Sequence, residues 1–235
     1  RFNYDRLFGA DNATLAVSGR FESNTGYRAV RRFFGNWLKS DETIPATFKQ
    51  PGDPPTEPMI KESPSAERSE VRYAIRGVSR GSKEYAAAEI LTRIYEARLK
   101  AKAPAERQEK VFVRNEARFL PGLIIFGFSD GRADAAGFKK AMMEALVTDA
   151  EFNAHRSAAA SNRNSTDGVT QWLDADTYRL ASVKADADAL SSVTLSDVRA
   201  LAERLKSTPM VTVAIIPPAA PEPPPAPDNS DPELE

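Results

Sequence analysis

Proline fixes φ and donates no backbone hydrogen bond, so a cluster of prolines marks where neither helix nor central strand can form. Of the 17 prolines in this chain of 235 residues, six lie between positions 45 and 64 and eight beyond position 216. They divide the chain into four parts. Residues 1–39 read as a strand-and-helix segment, and residues 40–67 as an extended linker on the surface. Residues 68–216 are the stretch with enough apolar periodicity to build a core, and are read as an α+β domain. Residues 217–235 combine the eight prolines with five acidic side chains. With almost nothing to bury, they are expected to be a polyproline-like, mobile tail.

Within those parts the apolar spacing assigns the elements. In residues 12–19, Leu15 and Val17 alternate with Thr14 and Ala16, the period-two pattern of a strand. Tyr27, Val30, Phe34, Trp37 and Leu38 then recur at helical steps, backed by Arg28, Arg31 and Arg32. Beyond the linker, Val71, Tyr73 and Ile75 alternate with Arg72, Ala74 and Arg76, as in a strand with one wet face. A helix is expected from about Ser82 to Lys100, with Ala87, Ile90, Leu91 and Ile94 on its buried stripe. Strands near 110–119 and 123–129 are joined by Leu120, Pro121 and Gly122, which suits a tight antiparallel connection. Ala135, Phe138, Met142 and Leu146 mark the next helix.

Thr148 and Glu151 then have the spacing of a capping box. The polar run 157–167 is expected to end or interrupt that helix, and residues 168–181 to form another, carrying Trp172, Leu173 and Tyr178. Thr194 and Asp197 start the last helix, with Val193 and Val198 placed as a hydrophobic staple and Val198, Leu201, Ala202 and Leu205 as its stripe. An apolar strand at 210–216 follows. No repeat recurs at the 20–50-residue scale. Interspersed strands and helices with a hairpin among them predict an α+β class. The expected architecture has two layers: a largely antiparallel sheet, including a strand near 12–19, covered by helices on one face.

The chemistry available is limited. Lys and Arg number 32 against 33 Asp and Glu, a net charge of −1, which argues against a nucleic-acid binder. No apolar run approaches the roughly 20 residues of a membrane span. Cysteine is absent and His155 is the sole histidine. Disulfides, thiolate metal sites and every mechanism that needs two imidazoles from this chain are therefore excluded. His155 stands one helical turn after Glu151, but no third metal ligand accompanies them and the surroundings are those of a helix surface. The run Gly77–Gly81 lacks the Lys and Ser/Thr of a phosphate cradle and reads as a strand-to-helix loop capped by Ser82. Asp174, Asp176, Asp186 and Asp188 read as helix-end and solvating carboxylates rather than a general acid–base pair. Arg72 and Arg76 have the position to grip an anion, although a salt-bridged sheet face is the plainer reading. No Gly-x-Ser-x-Gly elbow is present. No catalytic and no metal-binding residue is assigned. The first residue is Arg1, with no initiator methionine or signal-peptide pattern, so the chain is expected to be a piece of something longer.

The order of motifs carries more information than any one of them. Tyr4–Gly9, then Asn12–Gly19, then Phe33-Phe-Gly-Asn-Trp37 resembles the strand-and-helix segment of the insulinase (pitrilysin) zinc metallopeptidases, which include the processing peptidases. The resemblance continues through the proline-rich linker, the strand at Val71, the helix ending in Ala97-Arg-Leu99, Thr148-Asp-Ala-Glu151-Phe and Val193–Val198. It covers residues 1–216.

This resemblance implies a two-layer α+β domain that is used twice per subunit. In the catalytic half an H-x-x-E-H motif and a distal Glu hold zinc and activate water. None of that motif is present here, so the likeness is to a non-catalytic half that encloses peptide beside a zinc-bearing partner. The cofactor zinc then belongs to the partner, and this chain is not an enzyme by itself. In such halves an Arg and a Tyr contact the peptide, within the stretch that here runs Lys102–Val113. Phe112 stands near the Tyr position, no Arg is assigned, and no substrate-binding residue is carried over. The alternative is a scaffold that kept the fold and lost proteolysis, with the proline-rich tail as its tether.

Overall fold

A computed structural model of the chain describes residues 4, 8–41, 49–55, 57–64, 66, 70–129, 140 and 142–218. Its sheet is built from β1 (Met59–Glu62), β2 (Glu70–Arg76), β3 (Val111–Glu116), β4 (Leu123–Ser129) and β5 (Met210–Ile216), in the order β1-β5-β2-β4-β3. Every pairing is antiparallel except β1 with β5. The sheet is therefore largely antiparallel, as the alternation and the hairpin predicted.

Period-two patterning places the core on one side of this sheet. Val71, Tyr73 and Ile75 of β2 are buried with Val111 and Val113 of β3 and Ile124 and Phe126 of β4. Tyr73 is registered opposite Phe126, and their rings stack with centroids 5.5 Å apart. Helix α2 (Tyr85–Lys102) lies over these residues and buries Ala87, Ile90, Leu91 and Ile94, the stripe read from its spacing. Helices α3 (Asp149–Ser165) and α6 (Leu195–Lys206) pack on α2. The α6 stripe, Val198, Leu201, Ala202 and Leu205, is buried throughout. Residues of the opposite sheet face, among them Arg72, Arg114 and Leu123, are exposed.

Both capping boxes form. The Thr148 hydroxyl accepts from the Glu151 amide at 3.3 Å while the Thr148 amide donates to the Glu151 carboxylate at 2.9 Å. Thr194 and Asp197 do the same for α6. Replacing Thr148 with Ala removes one acceptor at the helix start and is expected to lower unfolding free energy by about 1 kcal/mol. A urea titration beside the unaltered chain measures it, and an unchanged midpoint contradicts the role.

Several expectations change. Residues 13–18 belong to no strand of the sheet, because no other strand lies alongside them among the described residues. The helix that follows, α1 (Ser23–Phe34), ends before Trp37 and Leu38 and has no buried residue. The stretch 40–67 is more than linker. Met59–Glu62 escapes the prolines and pairs with β5 as an exposed edge strand, with Pro58 just ahead of it where no ladder amide is needed.

Glu84 rather than Ser82 precedes α2, and the Ser82 hydroxyl donates back to the Ser79 carbonyl. The β3–β4 connection is a longer loop than a tight turn. Its Gly122 is dictated by close approach, since a Cβ there would lie 1.9 Å from the Glu116 carbonyl oxygen. Helix α3 runs unbroken through most of the polar stretch to Ser165. Helix α4 (Gly168–Thr177) is shorter than expected, and α5 (Val183–Ser192), with Ser182 accepting from the Ala185 amide, was not foreseen. Of the helix read around Ala135, Phe138, Met142 and Leu146, residues 130–139 lie outside the described residues, Met142 is buried and Leu146 is exposed. Residues 219–235 of the tail also lie outside them.

Candidate functional site

The exposed sheet face is where this domain presents chemistry. Strand alternation brings Arg72, Phe112 and Arg114 to one patch, because Phe112 and Arg72 both register with Gly127 of β4, the strand between β2 and β3. A Cβ on Gly127 would stand 2.6 Å from the Phe112 ring, so the ring lies over bare backbone. The Arg114 guanidinium sits 4.9 Å from the ring centroid and that of Arg72 6.0 Å from it. Two cations thus share one aromatic ring. Glu70 partly neutralises Arg72, accepting from its Nε at 2.6 Å. Arg76, farther along β2, donates to the carbonyls of Pro51 at 3.1 Å and Gly52 at 2.9 Å, so it ties the proline-rich segment to the sheet. Arg72 is salt-bridged as the plainer reading expected. The patch holds no nucleophile and no paired acid and base. It is a cationic and aromatic surface beside the open edge of β3.

The remaining candidates are drawn into structural contacts. Glu151 does not join His155. Its carboxylate accepts from Arg98 Nε at 2.7 Å and Nη2 at 2.9 Å, and those bonds hold it well below the usual range, at about 2. Arg98 also donates to the carbonyls of Met142, Ala145 and Leu146. His155 lies half-buried in a shallow groove with Arg93, Glu96, Ala97 and Lys100. Burial keeps its imidazole below the ordinary value. Among the described residues no group of three side chains is placed to hold a metal ion. One imidazole and a carboxylate committed to arginine do not fit a zinc site.

The acidic cluster divides. Asp186 accepts from Arg80 at 2.7 and 2.8 Å and lies 3.1 Å from Arg163, while Asp174 stands 3.4 Å from Arg80. The expectation that these two carboxylates merely cap and solvate helix ends is corrected: they neutralise two largely buried arginines. Asp176 accepts from the Thr14 hydroxyl, and Asp188 pairs with Lys184 at 2.5 Å. The Gly77–Gly81 loop is held by backbone bonds to the hairpin loop, Gly77 amide to Gly122 carbonyl at 2.9 Å and Arg80 amide to Arg118 carbonyl at 2.8 Å. Sequence reasoning missed Arg80, Arg98 and Arg114, since nothing local distinguishes these arginines from those on the surface.

This arrangement defines a two-layer α+β domain with one covered and one presented sheet face and, among the described residues, no group of side chains placed to hold a catalytic metal. A family model described as the peptidase M16 inactive domain matches residues 3–119. The fold is similar to that of a protease from Helicobacter pylori, with a TM-score of 0.70 and 14% identity over 84% of this chain and 53% of that one. It is also similar to a peptidase M16 inactive domain from Pseudomonas fluorescens, with a TM-score of 0.69, 19% identity, and coverage of 86% and 53%. A predicted insulinase family protease from Yersinia pestis gives a TM-score of 0.61 at 16% identity, with coverage of 93% and 54%. The chain thus spans about half the length of these solved structures. No curated protein sequence matches it. Residues 3–119 match the inactive-domain type of the M16 peptidase family, and the fold is that of M16 and insulinase-family structures. Among the described residues no helix is long and apolar enough to cross a membrane.

Proposed function

We propose that this domain is the zinc-free wall of a peptidase chamber, working beside a half that carries the H-x-x-E-H site. The presented sheet face carries the reading. It leaves Arg72, Phe112 and Arg114 facing outward, whereas Arg80 and Arg98 within the body are neutralised by Asp186 and Glu151. Guanidinium groups and an aromatic ring next to an unpaired strand edge suit an extended peptide, whose carbonyls and carboxylates they engage with little regard to side chain. The partner half would supply the metal and its Lewis-acid chemistry, and this chain limits where the peptide lies and how much water reaches it.

The test is reconstitution. The H-x-x-E-H half encoded beside or upstream of this chain is assayed on unfolded peptides with and without it. Addition of the chain is expected to raise kcat/KM at least tenfold. The double variant F112A/R114A should lose most of that gain through KM. A catalytic half equally active alone, with no complex at micromolar concentration, rejects the accessory role and leaves a scaffold in its place.

A further inference from the structure

We infer that residues 219–235 of this chain lie back across its own exposed sheet face, with the proline run at 221–225 over Phe112 and the tail's carboxylates on Arg72 and Arg114. The register makes that face one continuous strip. Met59, Val213, Arg72, Gly127 and Phe112 are paired in turn, so they form a single row across all five strands. Lys61 stands in the next row on one side and Arg114 in the next row on the other. Helix α2 and those packed on it take up the opposite face, so this is the open one. Among the described residues no carboxylate is bonded to Lys61 or Arg114, which leaves two cations of the strip without a counterion.

Residues 219–235 supply what the strip lacks. They hold six prolines, five carboxylate side chains and no Lys or Arg. A polyproline segment docks on an aromatic ring with little entropy left to lose, and guanidinium groups bind carboxylates through charge-assisted hydrogen bonds. The same face already takes one proline-rich segment, since Arg76 donates to the carbonyls of Pro51 and Gly52, just ahead of Pro54 and Pro55.

The point where the chain leaves the sheet selects the occupant. Strand β5 ends at Ile216, opposite Glu62 and three residues past the row of Val213. Phe112 lies three strands away from β5. Spacings of about 4.8 Å between strands and about 3.3 Å along them put Phe112 roughly 17 Å from Ile216. Polyproline rises about 3.1 Å per residue, so about six residues after Ile216 reach it. That sets Pro221 to Pro225 on the Phe112 ring with Glu222 beside Arg72 and Arg114, and carries Asp228 and Asp231 toward the β3 edge. A segment tethered this close stands at an effective concentration of about a millimolar, which a free peptide must exceed. The docking follows from the face and the tail alone; that it holds peptide off this face rests on the reading just given.

The experiment uses the full chain. It has no cysteine, so A226C offers a single attachment point for a nitroxide. A free tail keeps that label within about 17 Å of Ile216, where it relaxes the amides of β1, the neighbour of β5, more than those of β3. A docked tail reverses the order, and amides 112–114 should be relaxed several-fold more than amides 59–62. The variant F112A/R114A should restore the order of a free tail, and so should E222Q/D228N/D231N, which alters no residue of the sheet or helices. Raising the salt to about 0.5 M should weaken the docked pattern. Stronger relaxation of β1 than of β3, or a pattern that neither variant changes, overturns the inference. Relaxation of 112–114 that arises only between labelled and unlabelled molecules in a mixed sample assigns the face to the tail of a second copy and also overturns it. If the tail docks but E222Q/D228N/D231N leaves KM for peptide unchanged in the pair reconstituted with the H-x-x-E-H half, the docking stands and the assignment of peptide to this face fails.

Discussion

Replacing Arg98 with Ala lowers the melting temperature by on the order of 10 °C. The expected cost is about 3–5 kcal/mol, the usual loss when one partner of a buried pair is removed, at roughly 2–4 °C per kcal/mol for a chain of this size. The guanidinium side chain is 12% exposed and makes two bonds to Glu151 and three to the carbonyls of Met142, Ala145 and Leu146. Its removal strands a half-buried carboxylate and loosens the chain entering α3. The linked pH dependence has a definite sign. Glu151 is depressed from 4.5 to about 2, so its contribution is complete above pH 4.5 and is lost as pH falls toward 2. In R98A the stability of the chain should decline less steeply between pH 5 and 2 than in the unaltered protein. Urea midpoints across that range measure it. A variant whose midpoint at pH 7 and slope below pH 5 both match the unaltered chain shows that the clasp contributes nothing.

The parts legible in the sequence are those whose pattern and partner lie close together in the chain. Val71, Tyr73 and Ile75 alternate over seven residues and find the dry face of β2; Thr148 and Glu151 carry their whole interaction within one turn. Val198 to Leu205 repeats at helical spacing against a core that this chain itself supplies. The alternation of Leu15 and Val17 is as clear, but a strand needs a neighbour, and none of the five strands here adjoins it. Pattern states what a segment is suited to, while pairing depends on chain elsewhere. The edge strand β1 was hidden for the opposite reason, being four residues among prolines with no buried side chain to mark it. At the candidate site, Arg72 and Phe112 were visible singly. Their union over Gly127 was not, because it depends on the register of β2 and β3 with β4, which no local spacing encodes. Arg80 and Arg98 reach carboxylates 106 and 53 positions away, a separation over which composition carries no signal.

Arg80 supplies the second large effect, and it separates the cost of an unpaired charge from the worth of a network. Its side chain is 3% exposed, sits 4.1 Å from the Tyr85 ring centroid and shares Asp186 and Asp174 with Arg163. Two guanidinium groups face two carboxylates, so the cluster is neutral while all four are present. Replacing Arg80 with Met fills much of the same volume but leaves two carboxylates against Arg163 alone. The expected loss is again about 3–5 kcal/mol, with α4 and α5 loosened from the loop that leads into α2. Adding Asp186→Leu to that variant restores charge balance, one guanidinium to one carboxylate, with Arg163 and Asp174 still 3.8 Å apart. The double variant R80M/D186L should therefore be more stable than R80M despite carrying the additional substitution. A double-mutant cycle read by urea unfolding measures the coupling, expected at about 1–3 kcal/mol. If R80M alone costs less than about 1 kcal/mol, or if the second substitution adds its full loss to the first, the four side chains do not act as one neutralised cluster, and the joint of α3, α4 and α5 rests on apolar packing around Leu190 and Ala159 instead.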